Sequence, residues 1–447
     1  MKNFKLSFKI LKSRMIIFAL VLITFFVPQM SQNENSVDIR VLITALGIDK
    51  KEDEYEVSVQ VYIPSKTSTE KDIISAKDKS VALATEQVLI KTGRLGIQST
   101  CGMIVLGKDL VEKENVMTTL DYIIRNNIVP WSTVLVAGDK DAAQTLVALN
   151  KLEKRSPIGW SNYLSISERE FDKAAVTLRD FVKGVYGLTG VSHCSAIGTE
   201  EIPPEDQSGG GGSGGGGSSG GGSGGGGESK SESQGSFNPI KIDNSIFTQS
   251  SGGEGGGSTD EKKGQAPQLK LLPITPVFMH GKKIMELNQD QTEGYNWVDK
   301  KSIFHTIMVE DVGGYYFKDG KVSLGVVKKK VKLKSNFDAH PIISVNIFTN
   351  LVLEEVMQSD IPLINGRDDS IERSNMLSKK TCEYIEKKVR DVFDAGKEKD
   401  ADVLNLVSFF YKFHNKQYKN YLSTGRTVTD LLKDIELKFD LKCEVEV

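Results

Sequence analysis

The chain has 447 residues, 26% of them charged and 39% hydrophobic. It is long enough for roughly two or three ordinary domains and has the composition of globular protein, not of a membrane bundle. Its 57 basic and 59 acidic side chains leave a formal net charge of −2, which gives no electrostatic case for nucleic acid. Cysteine occurs at 101, 194, 382 and 443 with no C-x-x-C pair, which argues against a disulfide framework and against a zinc knuckle. All four are expected to be small buried hydrophobes.

In chain order, Lys2, Lys5, Lys9, Lys12 and Arg14 come ahead of the apolar run 15–27. A basic flank before a short apolar core is the pattern of an export signal. The core is shorter than the ~20 residues of a comfortable membrane span. No small-residue cleavage site follows it, so residues 1–30 are expected to be either a signal segment or a short retained anchor, oriented positive-inside.

Residues 31–202 are expected to form an N-terminal α/β domain. Residues 37–49 are apolar nearly throughout, as in a strand covered on both faces. Lys50 to Asp53 make a charged turn. Tyr55, Val57, Val59, Val61 and Ile63 then alternate with Glu54, Glu56, Ser58, Gln60 and Tyr62. A period of two over a β-branched run predicts a half-buried strand. Residues 80–91 predict a helix stopped by Gly93. Residues 103–106 predict a strand, 115–126 a helix and 132–137 another strand. Asp139 or Asp141 is placed to cap the helix that runs through Leu149, and 167–186 predicts a longer helix. This order describes a mixed α/β domain.

From 208 to 227 only Ser and Gly occur, and apolar residues stay scarce to 266. Such a segment cannot bury enough apolar surface to offset its ordering entropy, so 203–268 is expected to be a disordered linker. A flexible coil of that length has a root-mean-square span of roughly 40–50 Å. Its glycines lack the strand before and helix after that a phosphate loop requires.

Residues 269–447 are expected to form a C-terminal α/β region of two subdomains. Strands are predicted at 306–310, 314–317, 321–327 and 342–353, with a hairpin turn at Lys318-Asp319-Gly320-Lys321. Residues 370–395 give the longest helical pattern, ended by Gly396. Ala401-Asp402-Val403-Leu404 leads into an aromatic-rich helix around 409–415. From Ile435 to Val447 apolar and charged residues alternate, as in an edge strand, with a bulge or turn expected at Asp440-Leu441-Lys442.

No catalytic constellation emerges. The histidines at 193, 280, 305, 340 and 414 form no metal motif, and there is neither a G-x-S-x-G elbow nor a Walker loop. His193 and Cys194 are adjacent, so on a strand their side chains diverge. Asp49, at a strand end, has the place of a ligand or, more ordinarily, a turn cap. The run Lys328-Lys329-Lys330-Val331-Lys332-Leu333-Lys334 has the pattern of a solvated strand face. An anionic lipid surface or an acidic partner is the alternative.

As a whole the pattern resembles the Ger(x)C lipoproteins, the C subunits of spore germinant receptors (GerAC-like). The likeness is carried by Thr44-Ala45-Leu46-Gly47-Ile48-Asp49 with the strand 55–64, and by Gly102 to Gly107 with the helix around Leu120 and the strand 132–137. It continues in 316–325 and in the C-terminal order of long helix, Ala401-Asp402-Val403-Leu404, aromatic-basic helix and alternating strand. The chain departs from the family in having no cysteine before Cys101, so lipidation is not expected, and it lacks the usual Trp-Asp pair.

The resemblance implies a multidomain α+β fold with mainly antiparallel mixed sheets packed by helices. It implies a non-enzymatic accessory subunit in nutrient-triggered germination, on the outer, extracytoplasmic face of the cell or inner spore membrane. The implied partners are integral membrane A-type and B-type receptor subunits and the membrane surface, with no nucleic acid, cofactor, metal or catalytic residue. The alternatives are an exported solute-binding protein closing on a small molecule between two lobes, and an exported hydrolase.

Overall fold

The computed structural model describes residues 40–64, 69–152, 176–200, 268–300, 306–310, 312, 320–337, 340–357 and 367–447. The leader, the Gly/Ser segment up to residue 267, the strand expected at 314–317 and residues 167–175 of the long helix lie outside them. All described residues belong to one compact unit. They form an α+β arrangement of three sheets packed by helices.

Up to residue 200 the strands are β1 (Arg40–Lys51), β2 (Glu54–Pro64), β3 (Thr69–Asp78), β4 (Leu95–Ile97), β5 (Met103–Leu106), β6 (Val134–Gly138), β7 (Val191–His193) and β8 (Ser195–Glu200). The helices are α1 (Val81–Thr92), α2 (Lys108–Lys113), α3 (Val116–Arg125), α4 (Ala142–Leu152) and α5 (Leu178–Val185). After the Gly/Ser segment, β9 (Gln268–Leu271) returns to the first sheet, whose order is β3-β2-β1-β5-β6-β8-β9, with β4 beside the start of β1. Its centre, β1-β5-β6-β8, is parallel, and β2 on one side and β9 on the other flank it antiparallel.

Both faces of this sheet are covered. On one, Ile43, Ile48, Ile104, Leu106 and Leu135 meet α1, α3 and α5; on the other, Ala45, Met103, Val105 and Val136 meet α4. This is why β1 is apolar nearly throughout. The expected half-burial of β2 is corrected by the structure, because Ser58 and Gln60 are fully buried. They take part in polar contacts beneath the sheet: Thr44 Oγ1 donates to Gln60 Oε1 at 2.7 Å, Gln60 Nε2 to Asn150 Oδ1 at 3.3 Å, and Ser58 and Ser75 hydroxyls lie 2.7 Å apart. Buried polar groups in such a layer persist because each has a partner.

Local signals place α1 and α3 as expected. Ser80 caps α1 by accepting from Leu83 N, and Gly93 closes it at φ 61. Asn115 caps α3 by accepting from Met117 N. Of the helix expected at 167–186, the described part is helical from Leu178 to Val185 and is capped by Thr177, which lies in extended backbone and accepts from Asp180 N.

The second sheet joins β7 to β10 (Thr275–Met279) and β11 (Lys282–Leu287) in the order β11-β10-β7, and α6 (Gln289–Val298) follows. The β10–β11 turn has positive φ at His280 (50) and Gly281 (84) and seats on the start of α3, where Val116 N donates to Gly281 O at 2.8 Å.

The third sheet has the order β12 (Thr306–Val309), β13 (Lys321–Phe337), β14 (Pro341–Met357) and β15 (Glu436–Glu446). The lysine run lies inside β13, so the strand expected to stop at 327 runs on. β15 pairs parallel with β14 in unbroken register from Glu436 to Glu446, so no bulge interrupts Asp440-Leu441-Lys442. Its inward residues face α7 (Arg367–Glu398), and α8 (Val407–Phe413), α9 (Asn415–Ser423) and α10 (Val428–Asp434) complete the region. Gly396 lies within α7 and does not end it; a Cβ there would crowd the Ala401 carbonyl oxygen at 2.6 Å.

The cysteine expectation holds for half the set. Cys101 and Cys194 are buried thiols, whereas Cys382 of α7 and Cys443 of β15 form a disulfide with Cα atoms 5.9 Å apart. The 61-residue separation hides the pairing from sequence spacing.

Candidate functional site

The groups that could carry chemistry are built into the fold in ways that consume their reactivity. Asp49, at the C-terminal end of β1, is neither a local turn cap nor exposed. Its carboxylate accepts from Ala142 N at 2.7 Å and Ala143 N at 3.1 Å and so caps α4 from 93 residues away. Burial pushes it up to about 6 against the pull of those two amides. Asp141, expected as that cap, pairs with Lys51 at 2.5 Å, and Asp139 accepts from Thr199 N at 3.2 Å. Gly107 is required here because a Cβ would overlap the Asp49 carboxylate.

Asp402, within Ala401-Asp402-Val403-Leu404, repeats the arrangement. It is buried, accepts from Leu406 N at 2.7 Å and Val407 N at 2.8 Å, and burial raises it to about 6. A third buried polar group joins α6 to α7. Lys388 Nζ lies 2.5 Å from Asp290 and 3.3 Å from Glu293, and Tyr384 Oη donates to Glu293 at 2.7–2.8 Å. Burial, then the Glu293 charge, raise the Tyr384 phenol. Gly294 lets the two helices approach, since a Cβ there would overlap the Lys388 carbonyl oxygen.

The thiols and histidines do not combine. Burial pushes the Cys101 and Cys194 thiols up to about 12, which removes the thiolate needed for nucleophilic attack. His193 packs against the Tyr295 ring with centroids 4.6 Å apart, His280 sits in the β10–β11 turn, and His414 donates from Nε2 to Ser335 O at 2.9 Å. His340 is exposed, and His305 lies outside the described residues. Among the described residues no group of three or more His, Cys, Asp or Glu is gathered to hold a metal ion. A cleft lined by His280, Asp400 and Asp402 measures about 160 Å³, and one beside Lys108, Asp139 and Lys283 about 200 Å³. Both are smaller than the ~300 Å³ at which small-molecule sites usually begin.

The basic run is the sequence candidate that stays at the surface. A bulge between Val326 and Lys328 sets the register, after which Lys328, Lys330, Lys332 and Lys334 point outward while Val331 and Leu333 turn to the core. Lys329, on the inner side, donates to Asn296 O at 2.7 Å and Asp299 O at 2.9 Å, closing the C-terminal end of α6. Sequence alone could not separate this one committed lysine from its exposed neighbours.

The arrangement is that of a multidomain α+β protein whose buried polar groups hold helices and sheets together and whose surface carries one long basic strand. Two domain families match it: "Spore germination protein N-terminal domain" over residues 33–194 and "Spore germination B3/ GerAC like, C-terminal" over residues 275–446. The chain belongs to the Ger(x)C family of germinant receptor subunits. The stretches that carry the resemblance in sequence fall within those two matches. A solved structure, titled "Crystal Structure of the GerBC protein", superposes with a TM-score of 0.48 at 15% identity, covering 90% of this chain and 96% of that one. No curated protein matches the chain.

Proposed function

We propose that this protein is a membrane-attached, non-enzymatic accessory subunit of a spore germinant receptor, acting through contacts with A-type and B-type integral membrane subunits in nutrient-triggered germination. Membership of the Ger(x)C family is the observation that carries this reading. The consumption of Asp49, Asp402, Cys101 and Cys194 in burial and helix capping supports a role without turnover. No helix among the described residues is long and apolar enough to cross a membrane. Attachment is therefore assigned to the basic, apolar segment 1–30. The Cys382–Cys443 disulfide is of the kind that persists in oxidising compartments outside the cytosol and fits an extracytoplasmic location.

The test is deletion of the gene in the spore former that carries it, with nutrient-triggered germination and receptor co-isolation as readouts. The deleted strain is expected to germinate slowly on at least one nutrient, and tagged protein to be recovered with multi-span membrane proteins. Normal germination on every nutrient, together with recovery of the protein alone, would refute the reading.

A further inference from the structure

The outer face of the third sheet has no covering element among the described residues. Lys328, Lys330, Lys332 and Lys334 are exposed at alternate positions of β13, with successive Cα atoms roughly 7 Å apart. Among the described residues none of the four makes an ion pair. On β15 the outward lysines are matched instead: Lys438 lies 3.8 Å from Glu436, and Lys442 lies 2.6 Å from Glu444. The unneutralised positive charge therefore runs along β13. Lysines guarding a strand edge are the ordinary reason for such a row, since β12 pairs only with Val322 to Gly325. Two further features exceed that reason.

The first is Phe348, half-buried on the same outer face. It is the register partner of Lys330, and Lys442 Nζ stands 5.4 Å from its ring centroid. A shallow groove of about 640 Å³ opens there, bounded also by Lys300, Lys332 and one carboxylate, Asp440, so that lysines outnumber acids along it. The second lies at the far end of β13. There α8 and α9 expose Tyr411 (50%) and Phe413 (60%) among Lys412, Lys416 and Lys419, with Lys412 Nζ 5.1 Å from the Phe413 ring. The His414–Ser335 hydrogen bond fastens this helical pair to β13. An acidic protein surface would account for the lysines but not for exposed rings among them. The headgroup layer of a bilayer takes both, with rings at the interface and ammonium groups on phosphate.

We propose that β13 together with α8 and α9 forms a docking face for anionic lipid headgroups, a second membrane contact besides the N-terminal segment. The proposal rests on the membrane placement proposed above. Each lysine brought near such a surface strengthens attachment roughly fivefold, and salt weakens it.

The test uses the full chain reconstituted on vesicles of phosphatidylcholine, alone or mixed with phosphatidylglycerol, with amine acylation rates read by mass spectrometry. Lys77 and Lys113, exposed on the first sheet's region, serve as references. On the anionic vesicles Lys330, Lys332 and Lys412 are expected to be acylated about fivefold more slowly than on the neutral ones, and high salt should restore their rates. In the K328E/K330E/K332E/K334E variant, whose changes are all at exposed positions, the protection of Lys412 should be lost. Equal rates on the two vesicles would overturn the proposal. So would protection that grows with protein concentration without vesicles, which assigns the face to a second copy, or protection that appears only with added polyglutamate, which assigns it to an acidic polypeptide. Vesicle-bound protein with unprotected lysines would remove the docking face and leave the receptor-subunit reading standing. Normal germination after deletion would remove that reading.

Discussion

The first and third sheets solve the problem of a hydrophobic face differently. The first is covered on both sides, by α4 on one and by α1, α3 and α5 on the other, so its strands are apolar in both directions and even Ser58 and Gln60 are buried. Among the described residues the third is covered on one side, chiefly by α7, and along most of β14 and β15 and the lysine half of β13 more buried residues alternate with more exposed ones. Two-sided cover distributes stability over several helices and leaves no face for a partner. One-sided cover concentrates it in a few contacts with α7 and leaves a whole face available.

Breaking the one-sided attachment should therefore have the largest effect. Replacing both Cys382 and Cys443 with Ser reopens a loop of 61 residues, and a loss of about 4 kcal/mol is expected in denaturant unfolding. Next comes Lys388→Ala, which takes the cation from Glu293 and from the exposed Asp290 between α6 and α7; about 1.5 kcal/mol is expected from the same measurement. Trp297 and Tyr384 keep their contacts with Glu293, so the region should still fold.

The two buried caps bring one such group from each region, Asp49 and Asp402. Each titrates near 6 in the folded protein and near 3.8 unfolded. Between those values the folded state holds more protons than the unfolded one, so stability falls as pH rises from about 4 to about 6. Each group contributes about 1.4 kcal/mol per pH unit across that window. Unfolding midpoints of D49N and D402N across pH 4–7 should show a shallower decline than the parent chain. An unchanged slope would mean that the caps are charged throughout. The smallest effect is expected on the bare face, where K330E/K332E should alter stability by no more than about 0.5 kcal/mol.

What could be read from sequence follows the range of the interactions. Period-two alternation marked β2 and β15 and a continuous apolar run marked β1, because burial is written residue by residue, and Ser80, Gly93 and Asn115 marked helix ends because their hydrogen bonds are local. β3 was not foreseen because Thr69–Asp78 carries few apolar residues and is held by pairing with β2 at the sheet's edge. The capping of α4 by Asp49 and the Cys382–Cys443 bond join residues far apart in the chain, where no spacing rule reaches. β9 gives no sign in its four residues that it returns to the first sheet. The lysine strand was legible as a face, but the rings of α8 that adjoin it became meaningful only once His414 was seen against Ser335.

The difference between the two sheets is tested most directly in spores whose only copy of this protein carries K328E/K330E/K332E/K334E. With protein level and melting temperature matched to the parent, nutrient-triggered germination is expected to slow markedly and the protein to wash from isolated membranes at lower salt. Germination and membrane retention indistinguishable from the parent would contradict a working role for the uncovered face.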